Sequence, residues 1–198
     1  MGCFWKPAEE LLKVDGVLET TAGYTGNPSA TEAPNYDKVC FSREWVEGVR
    51  VIYDDEKVAY AQLLENFFQA QEPKGGSRQY ASIIFPHDDE QQEAAQAWLQ
   101  AGTESKRVRD DGVPVSFTKL EPLSSFYAAE GYHQNYWSKF RPRVVAIIGC
   151  ILLQMAPLDQ VLTPDVVAAV HTLTDVSLKV IAVYVIGERF LDAKVVQL

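Results

Sequence analysis

Apolar positions along this chain recur with two different periods, and the switches between them mark out its elements. Ala8, Leu11 and Leu12 fall at helical spacing behind Pro7, which suits the first position of a helix, and Gly16 closes that segment. Residues 17–23 read as a strand, and 24–35, rich in Gly, Pro, Asn and Thr, as a loop. From 46 to 53 the period drops to two, with Val49, Val51 and Tyr53 alternating with Arg50 and Ile52, which predicts a second strand. A helix is expected over about 59–70, where Leu63, Leu64, Phe67 and Phe68 share a face. A loop (72–78), a strand (80–85), a helix (88–101), a strand (114–121) and an aromatic, partly helical segment (124–138) complete the series. Such alternation predicts an α/β domain, a two-layer sandwich with helices on a mixed sheet of the ferredoxin-like (α-β plait) type.

Near Arg141-Pro142-Arg143 the composition shifts to Val, Ile, Leu and Ala. The organisation expected is therefore a domain over 1–141 and a C-terminal extension over 142–198. Thr163-Pro164 suits the start of a helix reaching about Leu173, and Val180–Ile186 reads as a strand. Val144–Met155 is the longest apolar run, broken by Gly149 and Gln154. Spanning a bilayer takes roughly 18–20 such residues. A buried element is expected there, and no membrane contact.

Composition narrows the function classes. The chain has 198 residues, 47% of them hydrophobic and 23% charged, as in globular proteins generally, so collagen-like and disordered readings fail. Eighteen Lys and Arg against 27 Asp and Glu leave a net charge of −9 with no basic block, which argues against nucleic acid. Lys6, Glu9 and Glu10 interrupt any secretory leader. Three cysteines, Cys3, Cys40 and Cys150, cannot build a disulfide scaffold. A reducing compartment is expected, the cytoplasm, or an organelle if a targeting segment precedes this sequence.

One thiol stands out by position. Cys3 precedes the Pro7 helix, whose partly positive N-terminus favours a thiolate. The plain alternative is a small packed Cys beside Phe4 and Trp5. On bare pattern, Glu47 reads equally as an exposed strand residue, and Tyr36 and Tyr80 as half-buried packing.

The string Gly2-Cys3-Phe4-Trp5 before an amphipathic helix resembles the nucleophile motif of the peptide methionine sulfoxide reductase A family. Other motifs follow in the family's order: Val14-Asp-Gly-Val17 with Ala22-Gly-Tyr-Thr-Gly26, Asn35-Tyr36 with Val39-Cys40, and Glu47-Gly-Val-Arg-Val51 with Tyr53-Asp54. Gln79-Tyr80-x-Ser82, Ala129-Glu130 and His133-Gln134-x-Tyr136 extend the resemblance over about residues 2–140. It implies a thiol-dependent reductase of methionine S-sulfoxide in proteins, acting in their repair, with free methionine sulfoxide as a further substrate. By the same resemblance Cys3 is the nucleophile and ends as a sulfenic acid. Glu47 is the proton donor, and Tyr36 and Tyr80 donate to the sulfoxide oxygen. Phe4 and Trp5 form the apolar wall for the substrate methyl. Thioredoxin or another thiol is the implied reductant, with no cofactor and no metal.

Three departures accompany the resemblance. Lys6 replaces a Gly, Ala81 replaces an Arg, and a shortened loop over 72–78 lacks the family's active-site Asp. Cys40 aligns with a Cys that looks structural. Cys150 is the candidate resolving thiol, although its Ile-Ile-Gly-Cys-Ile-Leu-Leu setting is unlike a Gly-rich tail. Two rival readings are a catalytically impaired module that senses oxidants or binds methionine sulfoxide, and a Cys-His hydrolase built on Cys3 and His133.

Overall fold

The computed structural model describes the backbone of residues 1–195 and the side chains of 1–190. Two compact units separate within it, Met1–Ala129 and the remainder from Glu130 on.

In the first unit, β1 (Val17–Thr25) and β2 (Val46–Tyr53) form a long antiparallel pair, and β5 (Tyr127–Ala128) pairs with the other edge of β1. Helix α1 (Trp5–Leu12) packs on β1 and against α3 (Tyr60–Ala70), which in turn meets α4 (Asp89–Glu104). A separate parallel pair joins β3 (Ile83–Ile84) to β4 (Lys119–Leu120). The architecture is thus mixed α/β with a small antiparallel sheet. Its core collects Phe4, Leu11, Ala22, Tyr24, Val39, Trp45, Leu64 and Phe67.

Several strands are shorter than the apolar pattern predicts, because their backbone groups are committed elsewhere. Over 80–85, Ala81 N–H donates to Arg78 O (3.2 Å) and Lys74 N–H to Tyr80 O (3.1 Å), so only Ile83–Ile84 remain for a ladder. Over 114–121, Thr118 N–H closes a 3₁₀ turn on Val115 O (2.9 Å), leaving Lys119–Leu120. Pro7 stands third in α1, not first, but its missing N–H still falls among the positions that lack a helical acceptor. The expected loop 24–35 is followed by a helix the pattern does not announce, α2 (Tyr36–Ser42). Asn35 caps it, its side chain accepting from Lys38 N–H (2.8 Å), a recognised start signal.

The second unit differs most from expectation. Helix α5 (Tyr136–Met155) runs unbroken across Pro142, where the sequence suggested a boundary, and α6 (Pro164–Val195) packs against it. Val180–Ile186 lie inside α6 rather than in a strand, since a continuous apolar run carries no period to separate the two. Nor is Val144–Met155 buried: no residue of α5 is, and Val145 and Met155 are 70% and 76% exposed. Within α6, Pro164–Phe190 is long and apolar enough to cross a membrane, and only 6% of its most apolar window is buried. Isolated polar residues such as His171, Asp175 and Lys179 break this stretch into runs shorter than Val144–Met155, which hides its length from a search for uninterrupted runs. Burial, first, and the nearby Arg189 charge push the His133 imidazole down to about 4, so it is neutral at pH 7.

Candidate active site

The site begins with a strand residue turned inward. Glu47, Val49, Val51 and Tyr53 share the inner face of β2 while Arg50 and Ile52 face outward. Glu47 pairs in register with Tyr24 of β1, and Tyr24 packs on the Phe4 ring with centroids 5.9 Å apart. The strand therefore brings a carboxylate under the start of α1, at 1% exposure.

Burial of a carboxylate demands donors, and two are present. Phe4 N–H, at the cap of α1, donates to Glu47 Oε2 (3.1 Å), and Gln79 Nε2 donates to Oε1 (2.7 Å). The following N–H of the helix, on Trp5, hydrogen-bonds the Cys3 thiol. Helix N-terminal donors are thus shared between the thiol and the acid. Burial raises the Glu47 pKa from the ordinary carboxylate value, against the opposing pull of Gln79, the Phe4 N–H and Lys74.

Burial likewise pushes the Cys3 thiol up to about 11, assisted by the Glu47 charge and opposed by the Trp5 N–H and Lys74. This corrects the expectation that the helix terminus favours a thiolate: desolvation outweighs it. At neutral pH Cys3 therefore holds its proton, and burial favours the protonated form of Glu47.

Two hydroxyls complete the cluster. Tyr36, first residue of α2, and Tyr80, in the loop before β3, are hydrogen-bonded to each other, and both interact with Glu47. Burial, first, raises both phenols, so both stay donors. Phe4 is fully buried in the core, and Trp5 keeps part of its surface exposed. A cavity of about 160 Å³ adjoins Glu47 on its inner side, lined by Val49, Val51, Leu64, Phe67 and Ile84.

The sequence reading missed four contributors. Gln79 holds Glu47 and also reaches Cys40 Sγ (3.6 Å), so Cys40, on α2, lies beside the cluster. Lys74, over the Tyr80 ring at 5.0 Å, is the cation that acts on the thiol. Lys6, nearer to the thiol in sequence, pairs with Glu72 (2.5 Å) at the surface. Arg78 grips Glu121 with both terminal nitrogens (2.7 and 2.8 Å) and Gly26 O (2.9 Å), fixing the loop that carries Gln79 and Tyr80. Gln79 stood in the Gln79-Tyr80-x-Ser82 motif without a role, and for Lys74 and Arg78 only closeness to Tyr80 in sequence could have served as a signal. Gly2 also has a geometric role: its φ is +78°, and a Cβ there would stand 2.0 Å from Glu72 O.

Cys150 sits on α5 and is half-buried, and Glu130, His133 and Tyr136 also belong to the second unit. Among the described residues no group of His, Cys, Asp and Glu is arranged to hold a metal ion.

A family model described as peptide methionine sulfoxide reductase matches residues 1–149. A relative named peptide methionine sulfoxide reductase MsrA, from Natronomonas pharaonis, is 40% identical over 146 residues, covering 70% of this chain and 79% of its own. Another of that name, from Pectobacterium atrosepticum, is 38% identical over 147 residues, covering 70% and 68%. The solved methionine sulfoxide reductase A of Corynebacterium diphtheriae superposes with a TM-score of 0.53 at 23% identity, covering 71% of this chain and 72% of that one. That likeness bears on the fold. The matched segment stops inside α5, and α6 lies beyond it.

Proposed function

The chain belongs to the peptide methionine sulfoxide reductase family, and on that premise we propose that it reduces methionine S-sulfoxide in proteins, and free methionine sulfoxide, to methionine through a Cys3 sulfenic acid. The observation that carries this reading is a buried acid, Glu47, whose pKa is raised by burial and which shares the N-terminus of α1 with the thiol of Cys3. A sulfoxide oxygen bound there accepts hydrogen bonds from Tyr36 and Tyr80 and a proton from Glu47. Cys3 Sγ attacks the activated centre, the S–O bond of the substrate breaks, and an S–O bond to Cys3 remains. The thiol proton restores the acid form of Glu47. In balance, thiol plus sulfoxide give sulfenic acid plus thioether, with cysteine sulfur oxidised and methionine sulfur reduced by two electrons.

Trp5 supplies the apolar wall for the substrate methyl, and Phe4 backs it from the core. A dithiol such as thioredoxin closes the cycle. One thiol condenses with the sulfenic acid, releasing water and leaving a mixed disulfide, and the second displaces Cys3. Cys150 is the candidate internal alternative for the first of these steps. We infer a reducing location, the cytoplasm foremost, from the free thiols. The finer topology we infer for the first unit is an α-β plait, supported by α1 and α3 packing together beside the antiparallel β1–β2 pair.

The impaired-module reading is disfavoured, because the shortened loop still delivers Gln79, Tyr80 and Lys74 to the cluster. A Cys-His hydrolase needs a thiolate, and Cys3 is pushed the other way. The test is turnover of a methionine sulfoxide peptide with dithiothreitol: the Cys3→Ser variant loses it, and retained turnover refutes the assignment.

A further inference from the structure

The second unit wears its apolar residues outside. On α5, Val145, Ile148, Leu152 and Met155 are exposed, and on α6 so are Val166, Leu173, Val176, Val180 and Phe190. Val183, Tyr184, Val185 and Ile186 are four consecutive exposed positions, and four consecutive residues complete a helical turn. At this turn the apolar surface of α6 runs around the helix. A helix that pairs with another copy carries a stripe, whereas one apolar all round is made for a surrounding apolar medium.

Length and end groups identify that medium. Pro164–Phe190 is 27 residues, about 40 Å of helix against roughly 30 Å of hydrocarbon in a bilayer. It is neither a buried core helix nor near the N-terminus, the two ordinary sources of such a segment. The start of α5 and the end of α6 come together through Glu188, which accepts from Lys139 Nζ (3.0 Å) and Arg143 Nη2 (2.8 Å). Lys139 and Arg143 pair with Glu188, and Arg141 and Arg189 stand beside them in sequence, a cationic end on a chain of net charge −9. Aromatic rings stand among them: Arg141 over Trp137 (5.7 Å), Arg143 over Tyr184 (5.0 Å) and Arg189 over Tyr132 (5.7 Å). Aromatic rings mixed with Lys and Arg at one end of an apolar helix are what a headgroup layer selects. Polar side chains farther along bind one another: Gln154 Nε2 donates to Thr174 Oγ1 (3.1 Å) and Asp175 Oδ1 (2.7 Å).

We propose that the α5–α6 hairpin attaches this protein to an anionic lipid bilayer, with α6 inserted in the hydrocarbon and the Arg141–Arg143–Arg189 end at the headgroups. The apolar stretch of α5 enters beside α6 from the same end, leading to the connection that precedes Pro164. Cations that stay at one face favour the cytoplasmic leaflet, where a reductant for the thiol is present.

Flotation of the full chain with phosphatidylcholine–phosphatidylserine vesicles tests this. The chain is expected to float and to stay bound in high salt. Val183→Asp combined with Leu152→Asp lowers partitioning by about a hundredfold or more, while turnover of free methionine sulfoxide is unchanged, which certifies the fold. Arg141→Ser with Arg189→Ser weakens binding to these vesicles by roughly tenfold and leaves binding to pure phosphatidylcholine unaltered. A full chain that remains detergent-free and monodisperse at the bottom of the gradient overturns the proposal. So does one that sediments as a dimer without floating, or an aspartate variant that floats like the parent.

Discussion

The two units of this chain solve opposite problems. Met1–Ala129 hides its apolar side chains, and it also buries a carboxylate, giving Glu47 the Phe4 N–H and the Gln79 amide as compensation. The unit from Glu130 on leaves Val145, Leu152, Val183 and Ile186 outside. In the first, burial raises the proton affinity of both an acid and a thiol. In the second, exposed hydrocarbon is the working surface. The contrast shows that apolar content alone says little until one asks which face carries it.

The largest effect is expected at the thiol. Cys3→Ser should lower sulfoxide turnover by at least about 10⁴-fold, since removing a nucleophile removes the whole covalent route. Activity near that of the parent in a dithiothreitol-coupled assay would remove Cys3 from the chemistry. Next in size is Glu47→Gln. Its amide keeps the size of the group but has no acidic proton, so methionine formation in a single turnover should slow by about 10²–10³-fold.

The pH profile sharpens the same point. Because the Glu47 pKa is raised, the acid form persists above the ordinary carboxylate range and is lost as pH climbs through the shifted value. The single-turnover rate should therefore fall on that alkaline limb in the parent and be flat there in Glu47→Gln. Alkylation of Cys3 in the substrate-free protein should follow the opposite course, rising with pH toward about 11 as thiolate forms. Fast alkylation at neutral pH would contradict the burial argument.

Gly2→Ala should cost about 10²-fold in activity, because a Cβ 2.0 Å from Glu72 O forces the nucleophile's neighbour to move. Mild effects belong to the phenols. Tyr36→Phe and Tyr80→Phe should each slow reduction by roughly tenfold, and the double variant by less than the product, since the two hydroxyls are hydrogen-bonded to each other.

Much of the first unit was readable from its residues. The period of two in Val49, Val51 and Tyr53 located β2 and, extended back, places Glu47 on the inner face. Leu63, Leu64, Phe67 and Phe68 located α3. What was not readable were bonds between distant segments. Backbone bonding to Arg78 and Val115 shortened two expected strands, and the Glu47–Gln79 hydrogen bond joins residues whose spacing carries no signal. The thiol's proton affinity was misjudged because a helix terminus is visible in sequence and desolvation is not. In the second unit the composition shift was legible, but its meaning was not. An unbroken apolar run such as Val183–Ile186 fits a buried strand, a buried helix or an exposed one, and only exposure separates them.

The most direct measurement is mass analysis of the Cys3 peptide after one equivalent of a methionine sulfoxide peptide, with no reductant present. One added oxygen on Cys3, trapped as sulfenic acid and matched by one equivalent of methionine, is the predicted result. An unmodified Cys3 with no methionine released, or an acyl group on its sulfur, would contradict it.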